Sequence, residues 1–119
     1  MPPPIIWGAF NRPEMLFARF APDGTLITVG FDAQPTNQAG MSTAAADCAQ
    51  LFDEATATRL AARCQWTDAS HVNILLTPDS DVEPGDELVI RAETVWPFGW
   101  EFGCDSGICA EGSVTIPID

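Results

Sequence analysis

Apolar and polar side chains alternate over residues 25–32, and this alternation predicts the first clear element of the fold. Odd-numbered side chains from Ile27 to Phe31 share one face, and a period of two in a stretch rich in β-branched residues predicts a strand. The apolar stretch 15–21 precedes it, and the Pro-Asp-Gly sequence at 22–24 favours a tight turn between the two. The pattern therefore predicts an antiparallel hairpin.

Further alternating stretches predict additional strands, each bounded by turn residues. We expect them at residues 5–10, from Cys64 through Trp66, and at 72–76, 88–92 and 112–118. In the last of these, Val114, Ile116 and Ile118 are expected to face the core, and Pro117 favours an edge position because it has no N–H. The sequence therefore predicts a mostly β fold, an antiparallel β-sandwich of about seven strands with one short helix.

The period changes to that of a helix after the hairpin. The apolar positions that repeat at i, i+3, i+4 and i+7 are Cys48, Leu51, Phe52 and Ala55. They predict one short helix with a buried face, which Thr43 or Asp47 could cap and which fades after Leu60. The loop before this helix contains Asn37, a residue type that tolerates left-handed backbone, and Gly40, which permits a tight bend.

Four cysteines in a chain of 119 residues predict disulfides. A zinc site is disfavoured, since the spacers are 15, 39 and 4 residues, no Cys-x-x-Cys pair occurs and the chain has one histidine. Sequence alone leaves several pairings open, of which Cys48–Cys64 and Cys104–Cys109 are favoured because each closes a local loop. The Cys48–Cys64 bridge would contribute roughly 3 kcal/mol to the free energy of unfolding and attach the helix to the following strand. Trp66 would then pack over the two sulfur atoms. Disulfides form in oxidising compartments, so we expect an extracellular protein.

Several segments of the chain resemble a pattern found in large cell-surface proteins of green algae. The similar segments are FDAQPTNQAG, DCAQLFDEATATRL, CQW and PGDELVI, within about Leu16 to Val95. Those proteins carry tandem immunoglobulin-like repeats, and some are related to the receptor-for-egg-jelly and polycystin-type ectodomains. The resemblance implies that this chain is an immunoglobulin-like repeat of a large extracellular protein. It carries over no catalytic residue, because the family has no shared active site.

Composition limits the partners that we expect. Size predicts a single domain over residues 1–119, with 1–4 as a linker. The net charge is −12, from seventeen acids against five arginines, so neither nucleic acid nor an anionic membrane is an expected partner. Solubility explains such a surface, although cations or basic proteins remain permitted.

The start of the chain lacks a signal peptide pattern and no apolar run is long enough to span a membrane, so we expect an excerpt of a longer secreted protein.

The acidic segment between two predicted strands is a candidate for calcium. Its carboxylates are those of Asp79, Asp81, Glu83 and Asp86. Calcium takes several oxygen ligands, but these residues lack EF-hand spacing. A solvated turn is therefore the favoured interpretation, no cofactor is assigned, and calcium stays an alternative.

An aromatic segment follows, with rings at every second position. The rings are those of Trp96, Phe98, Trp100 and Phe102. In a strand they would share one face. An inward face would make them core, which the pattern favours, whereas an outward face would form an apolar interface patch. Aromatic rows also bind sugars. Our hypothesis is that the loop docks a neighbouring domain or subunit.

No catalytic signature is present in the sequence. The motifs G-x-S-x-G, P-loop and H-E-x-x-H do not occur, and His71, the one histidine, is expected to be a turn residue. We therefore expect no enzyme. The sequence predicts a non-catalytic structural or adhesive module of a cell-surface protein, which contacts neighbouring domains or subunits. The alternative is a module that binds carbohydrate or calcium.

Overall fold

The computed structural model describes most of the chain. The described residues are 12–32, 35–42, 44–100, 104 and 107–118. The predicted strand at 5–10, the linker at 1–4, the candidate cap Thr43 and the interface candidate Phe102 lie outside these ranges.

The described residues form a mostly β structure with seven strands and one short α-helix, in agreement with the predicted composition of elements. The strands are β1 (Met15–Phe20), β2 (Leu26–Phe31), β3 (Ala46–Asp47), β4 (Arg63–Asp68), β5 (His71–Leu75), β6 (Glu87–Val89) and β7 (Ser113–Thr115). The helix α1 spans Glu54–Leu60, and two short 3-10 turns span Gln38–Gly40 and Cys48–Gln50. An antiparallel five-stranded sheet has the order β1-β2-β5-β4-β3, and β6 pairs with β7 in a separate two-stranded sheet.

The predicted hairpin is confirmed by the pairing of β1 with β2. Phe20 lies opposite Ile27, and the N–H of Ala21 donates to the carbonyl of Leu26 at 2.8 Å. As the alternation predicted, Ile27, Val29 and Phe31 are all buried. On the other face, the ring of Phe17 lies directly over Gly30, where a Cβ would come within 2.2 Å of it. Glycine at this position therefore leaves the room that the ring of Phe17 occupies.

Both sheets contribute to one hydrophobic core. Val72 of β5 and Cys64 of β4 are fully buried in the five-stranded sheet, while Leu88 of β6 and Ile116 after β7 are 1% exposed and join the same cluster. The prediction that Ile118 faces this core is wrong, since its side chain is 79% exposed. The chain leaves the ladder after β7, so the alternation no longer determines where side chains point.

The predicted short helix is present as α1, but it begins only at Glu54, and the residues before it form the separate 3-10 turn Cys48–Gln50. The carboxylate of Asp47 accepts the N–H of Ala49 at 2.9 Å and caps this turn, which confirms Asp47 as a cap. Asp53 then caps α1 by accepting the N–H of Thr56 at 2.9 Å. Two caps six residues apart start two elements, so the helical period does not continue across them. As a result Ala55 is exposed, contrary to the predicted buried face.

The strand predicted at 88–92 is shorter than expected because the chain changes partner. After β6, Ile90 forms an isolated bridge with Phe52, and the N–H of Arg91 donates to the carbonyl of Leu51 at 2.8 Å. The N–H of Ile90 still donates to the carbonyl of Gly112 at 3.1 Å, beside β7, so the backbone of this segment divides its hydrogen bonds between that sheet and Leu51.

Candidate functional site

The two favoured disulfides are both present. Cys48 and Cys64 are bonded with their Cα atoms 5.0 Å apart, and the Cα atoms of the bonded Cys104 and Cys109 lie 5.3 Å apart. The first bridge attaches the 3-10 turn Cys48–Gln50 to β4, rather than the α-helix that the sequence analysis expected. Both bridges indicate an oxidising environment.

Trp66 follows two positions after Cys64 on the same face of β4. Its ring stacks on that of Phe31, with centroids 5.5 Å apart and an angle of 25° between planes. Both side chains are buried, so this pair closes the core at the end of β2.

As far as Trp100, the segment of the aromatic interface candidates is a turn and not a strand. We call residues 96–100 the aromatic turn. Pro97 makes an isolated bridge with Thr36, and the N–H of Trp100 donates back to the carbonyl of Pro97 at 3.1 Å. Gly99 has a φ of 89°, which few other residues adopt without strain. The three described rings, of Trp96, Phe98 and Trp100, therefore do not share one strand face, because the backbone reverses between them.

The aromatic rings differ in their exposure. Phe98, at the tip of the aromatic turn, is 71% exposed, whereas Trp96 and Trp100 are half-buried at its base. These rings are therefore neither all part of the core nor all part of an exposed patch, the two alternatives that the sequence left open. One ring is offered to solvent, and its two neighbours are partly packed.

Asn37 fixes the aromatic turn to the preceding loop. Its Oδ1 accepts the N–H of Trp96 at 3.0 Å, and its Nδ2 donates to the carbonyl of Thr94 at 3.2 Å. Two backbone bonds reinforce this link, from the N–H of Asn37 to the carbonyl of Trp96 at 2.8 Å and from the N–H of Phe98 to the carbonyl of Pro35 at 3.0 Å. The exposed ring of Phe98 is therefore held on a braced backbone.

The left-handed backbone that we expected at Asn37 lies just after it. Asn37 has a φ of −80°, while Gln38 and Ala39 have φ values of 56° and 55°. The Oδ1 of Asn37 also accepts the N–H of Ala39 at 3.2 Å, which holds these residues in a conformation that is unfavourable for L-amino acids. The side-chain amide of Asn37 therefore holds nearby backbone groups in place, while Asn37 itself has an ordinary backbone conformation.

The four calcium candidates do not gather into one site. Asp79, Asp81 and Glu83 are exposed, and Asp86 is instead paired with Arg59 at 2.6 Å. Within the described ranges, no group of three or more His, Cys, Asp or Glu side chains is placed to hold a metal ion. The segment is a turn with one ion pair to α1.

That ion pair predicts a dependence of stability on pH. The hydrogen bond from Arg59 and then the N–H of Glu83 hold the pKa of Asp86 below its ordinary value. A carboxyl whose pKa is lowered by folding stabilises the fold above its unfolded pKa, about 3.9, and loses this contribution as pH falls through the folded pKa.

We expect the melting temperature of Asp86→Asn to fall less between about pH 5 and pH 2 than that of the unmodified protein, as followed by circular dichroism. Asp79→Asn serves as the control, because Asp79 is exposed and in the described chain forms no ion pair. An equally steep acid loss in Asp86→Asn would show that the ion pair does not contribute.

The one histidine forms an exposed pair with a carboxylate. Nδ1 of His71 lies 3.0 Å from Oδ1 of Asp68, across the turn between β4 and β5. The pKa of Asp68 is lowered, first by the N–H of Ser70 and then by this histidine. His71 is the first residue of β5 and not part of the turn itself. The pair orders the end of this hairpin.

Comparison with protein-family models, curated proteins and solved structures finds no match. The resemblance to repeats of algal surface proteins therefore stays a prediction. In the part of the chain that the structure describes, no helix has the length and apolar character needed to cross a bilayer.

Proposed function

We propose that this chain is an immunoglobulin-like β-sandwich module of a large extracellular or cell-surface protein. In this proposal the two sheets are the layers of the sandwich, and the module is one repeat of a longer chain. Its role is structural and adhesive: it contacts neighbouring domains or subunits and performs no chemistry. The predicted resemblance and the two disulfides support the extracellular setting.

The observation that carries the proposal is the exposed ring of Phe98. A phenylalanine ring that is 71% exposed has little packing within the monomer to give up when a partner covers it. Its burial against a partner also removes apolar surface from water, which favours association. Asn37 and the backbone bond from Phe98 to Pro35 hold the backbone that carries the ring, so little backbone entropy is lost on contact. Aromatic side chains are enriched in the cores of protein interfaces.

The test is self-association of the protein, since tandem repeats place like modules side by side. Sedimentation velocity over a range of concentrations should detect dimers, and Phe98→Ser should weaken dimerisation by about tenfold or more. The melting temperature should stay nearly unchanged, because the ring makes few contacts within the monomer. Leu16→Ser is the matched control, since Leu16 is 59% exposed on β1 but lies outside the aromatic turn.

Three results would contradict the proposal. The unmodified protein would remain monomeric at millimolar concentration, or Phe98→Ser would associate as well as the unmodified protein, or Leu16→Ser would have the larger effect. Specific retention of the protein on an immobilised neutral glycan, lost in Phe98→Ser, would instead favour the carbohydrate-binding alternative, because an exposed ring can stack on a sugar.

A further inference from the structure

A cleft of about 450 Å³ lies between the segment that leads into the aromatic turn and the two 3-10 turns. We call it the polar cleft. It is lined by residues 91–94, Trp96, Ala39 of the first 3-10 turn and Gln50 of the second. Its volume lies within the range of about 300–1,000 Å³ that is typical of ligand sites. The exposed ring of Phe98 is not part of the lining.

The formal charges of the polar cleft cancel. Its charged side chains are those of Arg91 and Glu93, one of each sign, although the protein as a whole has a net charge of −12. Neither forms an ion pair in the described chain. At physiological ionic strength charges are screened over about 8 Å, so the charges that line the cleft act on a ligand more strongly than distant ones. A neutral ligand therefore fits this lining better than a cation or an anion.

The polar cleft offers both donors and acceptors of hydrogen bonds. Gln50 has an amide, Arg91 a guanidinium with N–H donors and Glu93 a carboxylate with acceptor oxygens, and all three residues are exposed. The hydroxyl of Thr94 donates to the carbonyl of Ala92 at 3.0 Å, so its oxygen can still accept. Donors beside acceptors match a ligand with several hydroxyls, because each hydroxyl both donates and accepts.

Trp96 supplies the aromatic ring of the polar cleft. The residue is half-buried and lines the cleft together with the polar side chains. A sugar presents C–H groups on the faces of its ring and hydroxyls around its rim. An indole can therefore pack on the apolar face of a sugar while neighbouring polar side chains bind the hydroxyls. One large ring among polar groups thus favours a sugar over a purely apolar ligand.

The polar cleft is held in shape by hydrogen bonds on both sides. Asn37 accepts the N–H of Trp96 at 3.0 Å and donates to the carbonyl of Thr94 at 3.2 Å, which fixes one wall. Nη1 of Arg91 donates to the carbonyl of Ala49 at 3.0 Å and thereby attaches this wall to the second 3-10 turn. A site that is already formed loses less conformational entropy when it binds a ligand.

Two residues of the lining have left-handed backbone. The φ values of Ala39 and Glu93 are 55° and 59°. This conformation is strained for L-amino acids other than glycine, and strained residues cluster at ligand sites. The strain at two positions of the same cleft agrees with a binding role.

We propose that the polar cleft binds a neutral oligosaccharide, with Trp96 against the face of a sugar ring and the polar side chains hydrogen-bonded to its hydroxyls. An acidic saccharide gains less, because its carboxylate would be attracted by Arg91 but repelled by Glu93. The site does not use the ring of Phe98, so it is independent of the adhesive role proposed above.

The test is titration of the isotope-labelled protein, followed by nuclear magnetic resonance, with the neutral oligosaccharides maltohexaose, cellohexaose, laminarihexaose and mannohexaose. We expect at least one of them to bind with a Kd of about 1 mM or lower and to shift the indole N–H signal of Trp96. That signal is the one missing from the spectrum of Trp96→Phe. Trp96→Ala should raise the Kd by about tenfold, because the apolar contact is lost. Gln50→Ala and Glu93→Ala should each raise it by about threefold or more, because each removes a hydrogen bond.

Glu14→Ala is the matched control for Glu93→Ala, since Glu14 is also exposed but lies outside the polar cleft. Its binding should equal that of the unmodified protein, and so should that of Phe98→Ser. Because Gln50 and Glu93 are exposed, their variants keep the test valid if Trp96→Ala fails to fold.

Four results would overturn the proposal. None of the neutral hexaoses would bind at about 10 mM, or the Gln50→Ala and Glu93→Ala variants would bind them unchanged. A hexamer of galacturonate or of glucosamine would bind more tightly than every neutral hexaose, which would show that the ligand is charged. Binding would be lost in Phe98→Ser, which would place the sugar at the tip of the aromatic turn instead of in the polar cleft.

Discussion

Replacing Cys48 and Cys64 together by alanine should lower the free energy of unfolding by about 3 kcal/mol and the melting temperature by on the order of 10 °C. The bridge closes a loop over a sequence separation of 16, so its loss gives the unfolded chain many more conformations. Both cysteines are completely buried, and the bond attaches the 3-10 turn before α1 to β4. Thermal or urea unfolding followed by circular dichroism measures the effect.

The matched comparison is the double variant Cys104→Ala and Cys109→Ala. That bridge closes a separation of only 5, so the same argument gives a loss smaller by about 1 kcal/mol. An equal loss in the two double variants, or a larger one for the second, would contradict the view that the first bridge is the main covalent support of the fold.

Asn37→Ala should lower the free energy of unfolding by about 2 kcal/mol, the largest effect that we expect of a single substitution. Three hydrogen bonds of the side chain are lost, to Ala39, Trp96 and the carbonyl of Thr94. The N–H of Trp96 and the carbonyl of Thr94 are then left without these partners in a half-buried region. Because the same bonds brace the aromatic turn, Asn37→Ala should also weaken any contact made by Phe98.

Asn73→Ala is the control for this prediction. It is the same substitution at a half-buried asparagine, but the Oδ1 of Asn73 accepts one bond, from Thr28 at 2.8 Å on the outer face of the sheet. Chemical denaturation of the two variants should rank Asn37→Ala as clearly less stable. Equal stability would mean that the aromatic turn holds its shape without the amide of Asn37.

The elements that sequence could predict are those determined by neighbouring residues. The hairpin of β1 and β2 follows from local alternation and a Pro-Asp-Gly turn, and the inward side chains from Ile27 to Phe31 follow with it. The two disulfides follow from short separations along the chain. In each case the competing arrangements would have required contacts between distant residues.

The features that sequence could not predict depend on such distant contacts. The amide of Asn37 meets Trp96 across 59 positions, and no local signal announces that pairing. The helix was predicted as one element because its apolar period looks continuous, whereas Asp53 caps a new helix and its N–H is taken by Val89 at 3.0 Å. The hydrogen bond from Arg91 to the carbonyl of Ala49, across 42 positions, has no local signal either.

The edge of the five-stranded sheet formed by β3 and β4 affects how copies of this protein can associate. β3 pairs only with Arg63 and Cys64, and the register of β4 against β5 shifts between Trp66 and Asp68. A break in register distorts the regular spacing of backbone groups that a foreign strand would need as a template. Growth into cross-β fibres is thereby disfavoured at this edge, so two molecules that meet here would associate through their side chains and without polymerising.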